Sequence, residues 1–326
     1  MNIPRGCDGS VLLDGSASEP SEKDAPPNLT LRAQAFVIIE NLRRLVHKDC
    51  GPVVSCSDIT TLAARDAVVM SGGPDYSVPL GRRDGLTFAT RNVTLANLPP
   101  PFAKTNAILN SLSQKGFTPT DVVALSGGHT IGLAHCISFT TRLYPIIDPT
   151  LDQTFYKNLK IICPTINSTN TTFMDIRSPE TFDNKYYIDL INRQGLLTSD
   201  QDLYTDIMTQ SIVKNFAGQD GKLASHLAPI VFRNVRYHET MHDNNHPCYQ
   251  KLGHHRCCVL IPHHRCRTLS IHTIYIPGHK TRPWTKHLLA PSSVYTQTPP
   301  PMPPRSWTFG VFDAKYFVDL IPRFVH

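Results

Sequence analysis

Residues 124–136 read ALSGGHTIGLAHC, and they set His129 directly behind a pair of glycines. Upstream, Thr118 suits a helix N-cap and Pro119 the first helical position, and Val122, Val123 and Leu125 supply the apolar side. The pattern predicts a helix that runs into Gly127-Gly128 and delivers His129 at its C-terminal end. With no side chain on either preceding residue, a flat ligand has room to reach the imidazole. From the residues alone, two readings stay open: a ligating histidine and a structural one at a helix end. Farther on, LLTSDQDLY (196–204) carries Asp200, a carboxylate suited to orient a metal-binding imidazole through its second nitrogen.

Outward from that stretch the chain reads as helical. Phe36, Ile39, Leu42 and Val46 recur at spacings of three and four within 31–49, the pattern of an amphipathic helix stopped by Cys50-Gly51-Pro52. Residues 55–70 form a second such segment, with Ser or Asp at its start and Gly72-Gly73-Pro74 after it. Further helices are expected over 104–115, closed by Gly116, over 182–193, ending at Gly195, and over 207–216. The PLGRRDG stretch and Pro99-Pro100-Pro101 read as loop. Strands are scarce, so residues 1–220 read as mostly α.

Composition divides the chain near residue 220. Residues 221–326 hold 13 Lys+Arg against 4 Asp+Glu, whereas 1–220 hold 19 against 22, so the net charge of +6 comes from the final third. That stretch also carries 12 of the 15 histidines and 12 of the 27 prolines. A basic balance confined to a His/Pro-rich tail is not the footprint of a nucleic-acid-binding domain, and no nucleic-acid partner is expected. No run reaches the ~20 consecutive apolar residues of a membrane helix, so no membrane partner is expected either. Collagen, coiled coil and wholesale disorder are excluded by a 40% apolar content without the corresponding repeats.

Sequons at Asn28, Asn92, Asn167 and Asn170, with five cysteines between Cys7 and Cys163 and no CxxC, favour an oxidising, secretory compartment. The opening MNIPRGCDGS lacks a signal-peptide pattern, which suggests a chain truncated at its N-terminus.

Taken together and in order, GCDGSVLLD, CGPVVSCSDITTLAARDAV, GRRDG, NLPPPF, LSGGHTIG, FDNKYYIDLI and GLLTSDQDLY resemble the secreted class III plant haem peroxidases over residues 6–217. The resemblance implies a mostly α, peroxidase-like helical fold, here incomplete and followed by a disordered or irregular C-terminal extension. It implies haem b and two calcium ions as cofactors, hydrogen peroxide and phenolic small molecules as substrates, a monomer, and secretion to the cell wall or vacuole. By position, His129 resembles the axial iron ligand, and Asp200 the acid that holds its other nitrogen. Thr130, Asp175, Ser178 and Asp183, with a carbonyl near Thr181, resemble the proximal calcium ligands. Gly6, Asp8, Ser10 and Glu22 resemble part of the distal calcium site, left incomplete here; hard oxygen donors are what calcium takes. Pro99 resembles the proline lining the aromatic donor's channel, and Asn28 the asparagine that supports a distal histidine.

The resemblance also implies departures. No catalytic residue of the distal side is retained: Arg5 is misplaced and no histidine precedes His47, so at most weak turnover is expected. Cys136 and Cys163 resemble family disulfide partners. Cys7, Cys50 and Cys56 resemble cysteines whose partners this chain lacks. The expected organisation is a partial haem peroxidase domain over 1–218, a disordered His/Cys/Pro-rich segment over 219–308, and a helix repeat over 309–326, where FDAKYFVDLI echoes FDNKYYIDLI. Three competing outcomes are a catalytically dead haem and calcium binder, a gene-model artefact whose chain never accumulates, and a small zinc module of Cys248, His254, Cys257, Cys258, His263 and Cys266.

Overall fold

The computed structural model describes residues 8–78 and 80–218. Within them the chain forms nine α-helices and one two-stranded antiparallel sheet. The helices are α1 (Ala33–Cys50), α2 (Cys56–Met70), α3 (Arg91–Asn97), α4 (Thr105–Ser113), α5 (Pro119–Ser126), α6 (Gln153–Ile162), α7 (Lys185–Ile191), α8 (Thr198–Thr205) and α9 (Gln210–Ala217).

Helix α5 is the centre of the main core. Val122, Val123 and Ala124 are almost fully buried, and α4, α7 and α9 pack around it. Its start is a reciprocal cap: Asp121 N–H donates to the Thr118 hydroxyl at 3.2 Å, and Thr118 N–H donates to the Asp121 carboxylate at 2.8 Å. Gly116, at φ 85°, makes the turn between α4 and α5, a conformation that costs a residue with a Cβ. The Tyr187 hydroxyl donates to Val123 O at 2.9 Å, and its ring stacks on Phe216 at 5.1 Å, so α7 and α9 are both fixed against α5.

The GRRDG loop closes on the first turn of α2. Asp84 accepts from Cys56 N–H and Ser57 N–H, each at 2.9 Å, at the helix end where unpaired N–H groups favour a carboxylate. Asp58, fully buried, accepts from Gly81 N–H at 2.7 Å and pairs with Arg82 Nη1 at 2.9 Å. Burial pushes the Asp58 carboxyl up, against the pull of those partners.

A second core lies beside the two-stranded sheet, in which β1 (Leu133–His135) runs antiparallel to β2 (Thr171–Phe173) with Ala134 opposite Thr172. Here Phe139, Leu143, Leu151, Phe155 and Leu159 pack around the Cys136–Cys163 disulfide.

Several elements differ from the sequence expectation. The helix expected over 182–193 is shorter, because Phe182–Asn184 form the turn before it and Arg193 takes φ 63° after it. That strained backbone is held by Asp152 N–H on Arg193 O at 2.8 Å and by the Arg193 guanidinium on carbonyls of Pro149 and Thr150. Gly195 does not end the helix; it lets the chain pass Leu190, whose Cδ2 would sit 2.6 Å from a Cβ there. Helices α3, α6 and α8 were not expected: α6 is capped by Asp152, and each of α3 and α8 spans only about two turns. Cys50 is disulfide-bonded, which corrects the expectation that its partner lies outside the chain. Cys56 is the free cysteine among the described residues, its thiol pushed up to about 11 by burial and the Asp84 carboxylate. Gly6 and Cys7, the zinc-module residues 248–266 and the repeat at 309–326 lie outside the described residues.

Candidate active site

His129 sits in the 3-10 turn Gly127–Thr130 that continues α5, as the glycine pair implied. Its Nδ1 is 2.7 Å from Asp200 Oδ1, across 71 residues of chain. The imidazole is 28% exposed and Asp200 only 2%, so the carboxylate is dry while one edge of the ring reaches the surface of the site. Two further donors converge on Asp200. The Tyr186 hydroxyl, from α7, donates to the same Oδ1 at 2.9 Å, and Leu197 N–H donates to Oδ2 at 3.0 Å. Full burial pushes the Tyr186 hydroxyl far above its ordinary range, with the Asp200 charge adding to it, so the O–H donates.

What holds Asp200 in register is Arg142. This arginine is buried, and its guanidinium donates to the carbonyls of Gly195, Leu196 and Leu197, the last two at 2.8 and 3.2 Å, while Nε pairs with Asp148 at 2.8 Å. Burial alone would raise the Asp148 carboxyl; the Thr150 hydroxyl and Arg142 hold it below the usual range. From the other side, Ser199 N–H donates to Pro101 O at 3.0 Å, and Asp202 accepts from Thr105 N–H at 2.7 Å. Pro99, half-buried, therefore belongs to a loop tied to the start of α8.

The chain matches the family model described as peroxidase over residues 2–219. It is 63% identical over 213 residues to Peroxidase 12 of Arabidopsis thaliana, covering 65% of this chain and 60% of that one. It is 56% identical over 214 residues to the cationic peroxidase SPC4 of Sorghum bicolor, covering 65% of this chain and 59% of the other. The chain belongs to the class III plant peroxidases. It spans about 60% of the length of these two relatives.

In this chain the residues singled out from the sequence fall into three places. His129 and Asp200 meet, as described. Thr130, Asp175, Ser178 and Asp183 gather beside them: the Thr130 hydroxyl lies 3.3 Å from Asp175 Oδ2 and 3.4 Å from Thr181 O, and the Ser178 hydroxyl donates to Asp183 Oδ1 at 2.9 Å. The set comprises two carboxylates, two hydroxyls and a carbonyl, all oxygen donors. Among the described residues no three His, Cys, Asp or Glu side chains cluster as a metal site, so any cation here relies on the hydroxyls and carbonyl as well. Toward the N-terminus, Ser10 N–H donates to Asp8 Oδ1 at 3.0 Å and the Ser10 hydroxyl to Glu22 Oε1 at 2.9 Å.

Sequence reasoning missed Tyr186, Arg142 and Asp189. Asp189, buried, receives Ile176 N–H at 3.2 Å and pairs with Arg177 at 2.5 Å, bracing the loop behind Asp175. Tyr186 was visible only as one apolar position of FDNKYYIDLI, and Arg142 as an ordinary basic residue; nothing local marks either as buried. Asn28 is buried and donates its amide to Glu22 O at 2.8 Å, whereas Asn92, Asn167 and Asn170 are exposed. No helix among the described residues is long and apolar enough to cross a membrane.

Proposed function

We propose that this chain binds haem b through His129 Nε2 and acts in peroxide-dependent oxidation of phenols. The observation that carries the proposal is the His129–Asp200 pair: Nδ1 is committed to a buried carboxylate, which leaves Nε2 as the nitrogen the proposal assigns to the iron. A carboxylate on Nδ1 fixes the tautomer and makes the imidazole a stronger electron donor, as an axial ligand to a readily oxidised iron requires. When bound, the haem supplies the redox chemistry that takes electrons from a phenol and passes them to hydrogen peroxide. The protein's part on this side is to hold one imidazole in one orientation, with its other nitrogen kept protonated by Asp200.

Two calcium ions complete the proposal, one at Thr130, Asp175, Ser178 and Asp183, the other at the partial set Gly6, Asp8, Ser10 and Glu22. The first would tie His129's neighbour Thr130 to the loop before α7. Pro99 lines the approach of the phenol, and the protein is a secreted monomer.

The test is to load the full chain with hemin and calcium and mix it with hydrogen peroxide and a phenol. The expected result is phenol oxidation above that of free hemin and dependent on His129. Oxidation no faster than free hemin would leave a haem binder without turnover; oxidation indifferent to His129→Ala would overturn the proposed ligand.

A further inference from the structure

Two successive tyrosines on α7, Tyr186 and Tyr187, are both fully buried, yet they spend their hydroxyls differently. Tyr187 donates to a backbone carbonyl, Val123 O, at 2.9 Å. Tyr186 donates at 2.9 Å to Asp200 Oδ1, the same oxygen that lies 2.7 Å from His129 Nδ1, while Leu197 N–H occupies Oδ2. The buried Tyr186 ring stands edge-on to His129 at 6.1 Å and edge-on to Tyr187 at 5.0 Å.

We infer that Tyr186 is a positioning residue that sets how strongly Asp200 draws on the His129 Nδ1 proton, and through it how much electron density the imidazole gives to a bound iron. A carboxylate oxygen that already accepts a phenol O–H has less charge to offer a second donor. With Tyr186 in place, the Nδ1–H bond to Asp200 is moderated; without it, Asp200 pulls the proton harder and the imidazole becomes more anionic. Hydrogen bonding behind an axial ligand is one of the means by which a protein tunes haem iron. The inference rests on His129 being that ligand.

The experiment uses the full chain loaded with hemin, as wild type, Tyr186→Phe, Tyr187→Phe and a form with 3-fluorotyrosine placed at position 186. Two quantities are read: the ferric/ferrous midpoint potential and the iron–histidine stretching frequency of the ferrous form. Tyr186→Phe is expected to lower the potential and raise the stretching frequency. The fluorinated tyrosine, a stronger donor of the same shape, is expected to shift both the opposite way. Tyr187→Phe, which removes a buried hydrogen bond of equal length away from Asp200, is expected to leave both unchanged. Tyr186→Phe matching wild type, or an equal shift in Tyr187→Phe, would overturn the inference and leave Tyr186 a packing residue. If wild type binds hemin no better than His129→Ala, the ligand assignment itself falls, and this inference with it.

Discussion

The surroundings of Asp200 and the Asp8–Ser10–Glu22 cluster are both carboxylate sites suggested by motif, but they are built differently. Asp200 is 2% exposed and draws its partners from α5, α7 and the turn before α8, with His129 71 residues away. Glu22 is half-buried, and its Oε1 accepts from the Ser10 hydroxyl 12 residues away and from Ala89 N–H. The first site depends on the whole helical core being assembled. The second joins the N-terminal turns to the loops before α3, and its carboxylates are less buried than Asp200. Burial makes the Asp200 bonds costly to break, because a buried group that loses its partner does not regain water.

The contrast is broken most severely at Arg142. Arg142→Met removes the cation that gathers three carbonyls ahead of α8 and leaves Asp148 with only its Thr150 donors; the expected loss is about 3–5 kcal/mol, read as a lower urea midpoint. Next is the disulfide. Replacing Cys136 and Cys163 by serine opens a loop of 27 residues and should cost about 3–4 kcal/mol, confined at first to the second core; unchanged hydrogen exchange around Phe155 and Leu159 would count against it.

Asp200→Asn sharpens the contrast, with an expected 10- to 100-fold loss of hemin affinity by titration, about 1.4–2.8 kcal/mol. At the other site Glu22→Gln keeps an oxygen that accepts from the Ser10 hydroxyl and Ala89 N–H, and in calcium-free buffer it should move stability by no more than about 0.5 kcal/mol.

A pH slope probes a third carboxylate. Burial, reinforced by the Asp175 carboxylate and only partly opposed by Ile176 N–H and Arg177, pushes the Asp189 carboxyl up to about 7. The folded chain then holds a proton that the unfolded chain releases near pH ~4, so calcium-free stability should fall as pH rises from about 4 to about 7. Asp189→Asn should flatten that slope; an unaltered pH profile would show that Asp189 does not set it.

Much of this was legible in the sequence because the signals were local. Thr118-Pro119 and the glycine pair place His129 at the end of α5 without reference to the rest of the fold. The cap at Ser55 and the turn at Gly116 are local in the same way. Residues acting across distance were not legible. Arg142 reaches carbonyls more than 50 positions away, and Tyr186 looks like any buried aromatic until Asp200 is seen against its hydroxyl. Arg193 misled the reading of α7 because a left-handed arginine is stabilised by carbonyls from 149–151, not by its neighbours in sequence.

The most direct test is a hemin titration of the full calcium-loaded chain, followed by absorption, with His129→Ala titrated beside it. One equivalent of hemin bound by wild type, and no saturable binding by His129→Ala, is the result expected if His129 Nε2 carries the iron. Equal binding by both chains would contradict it.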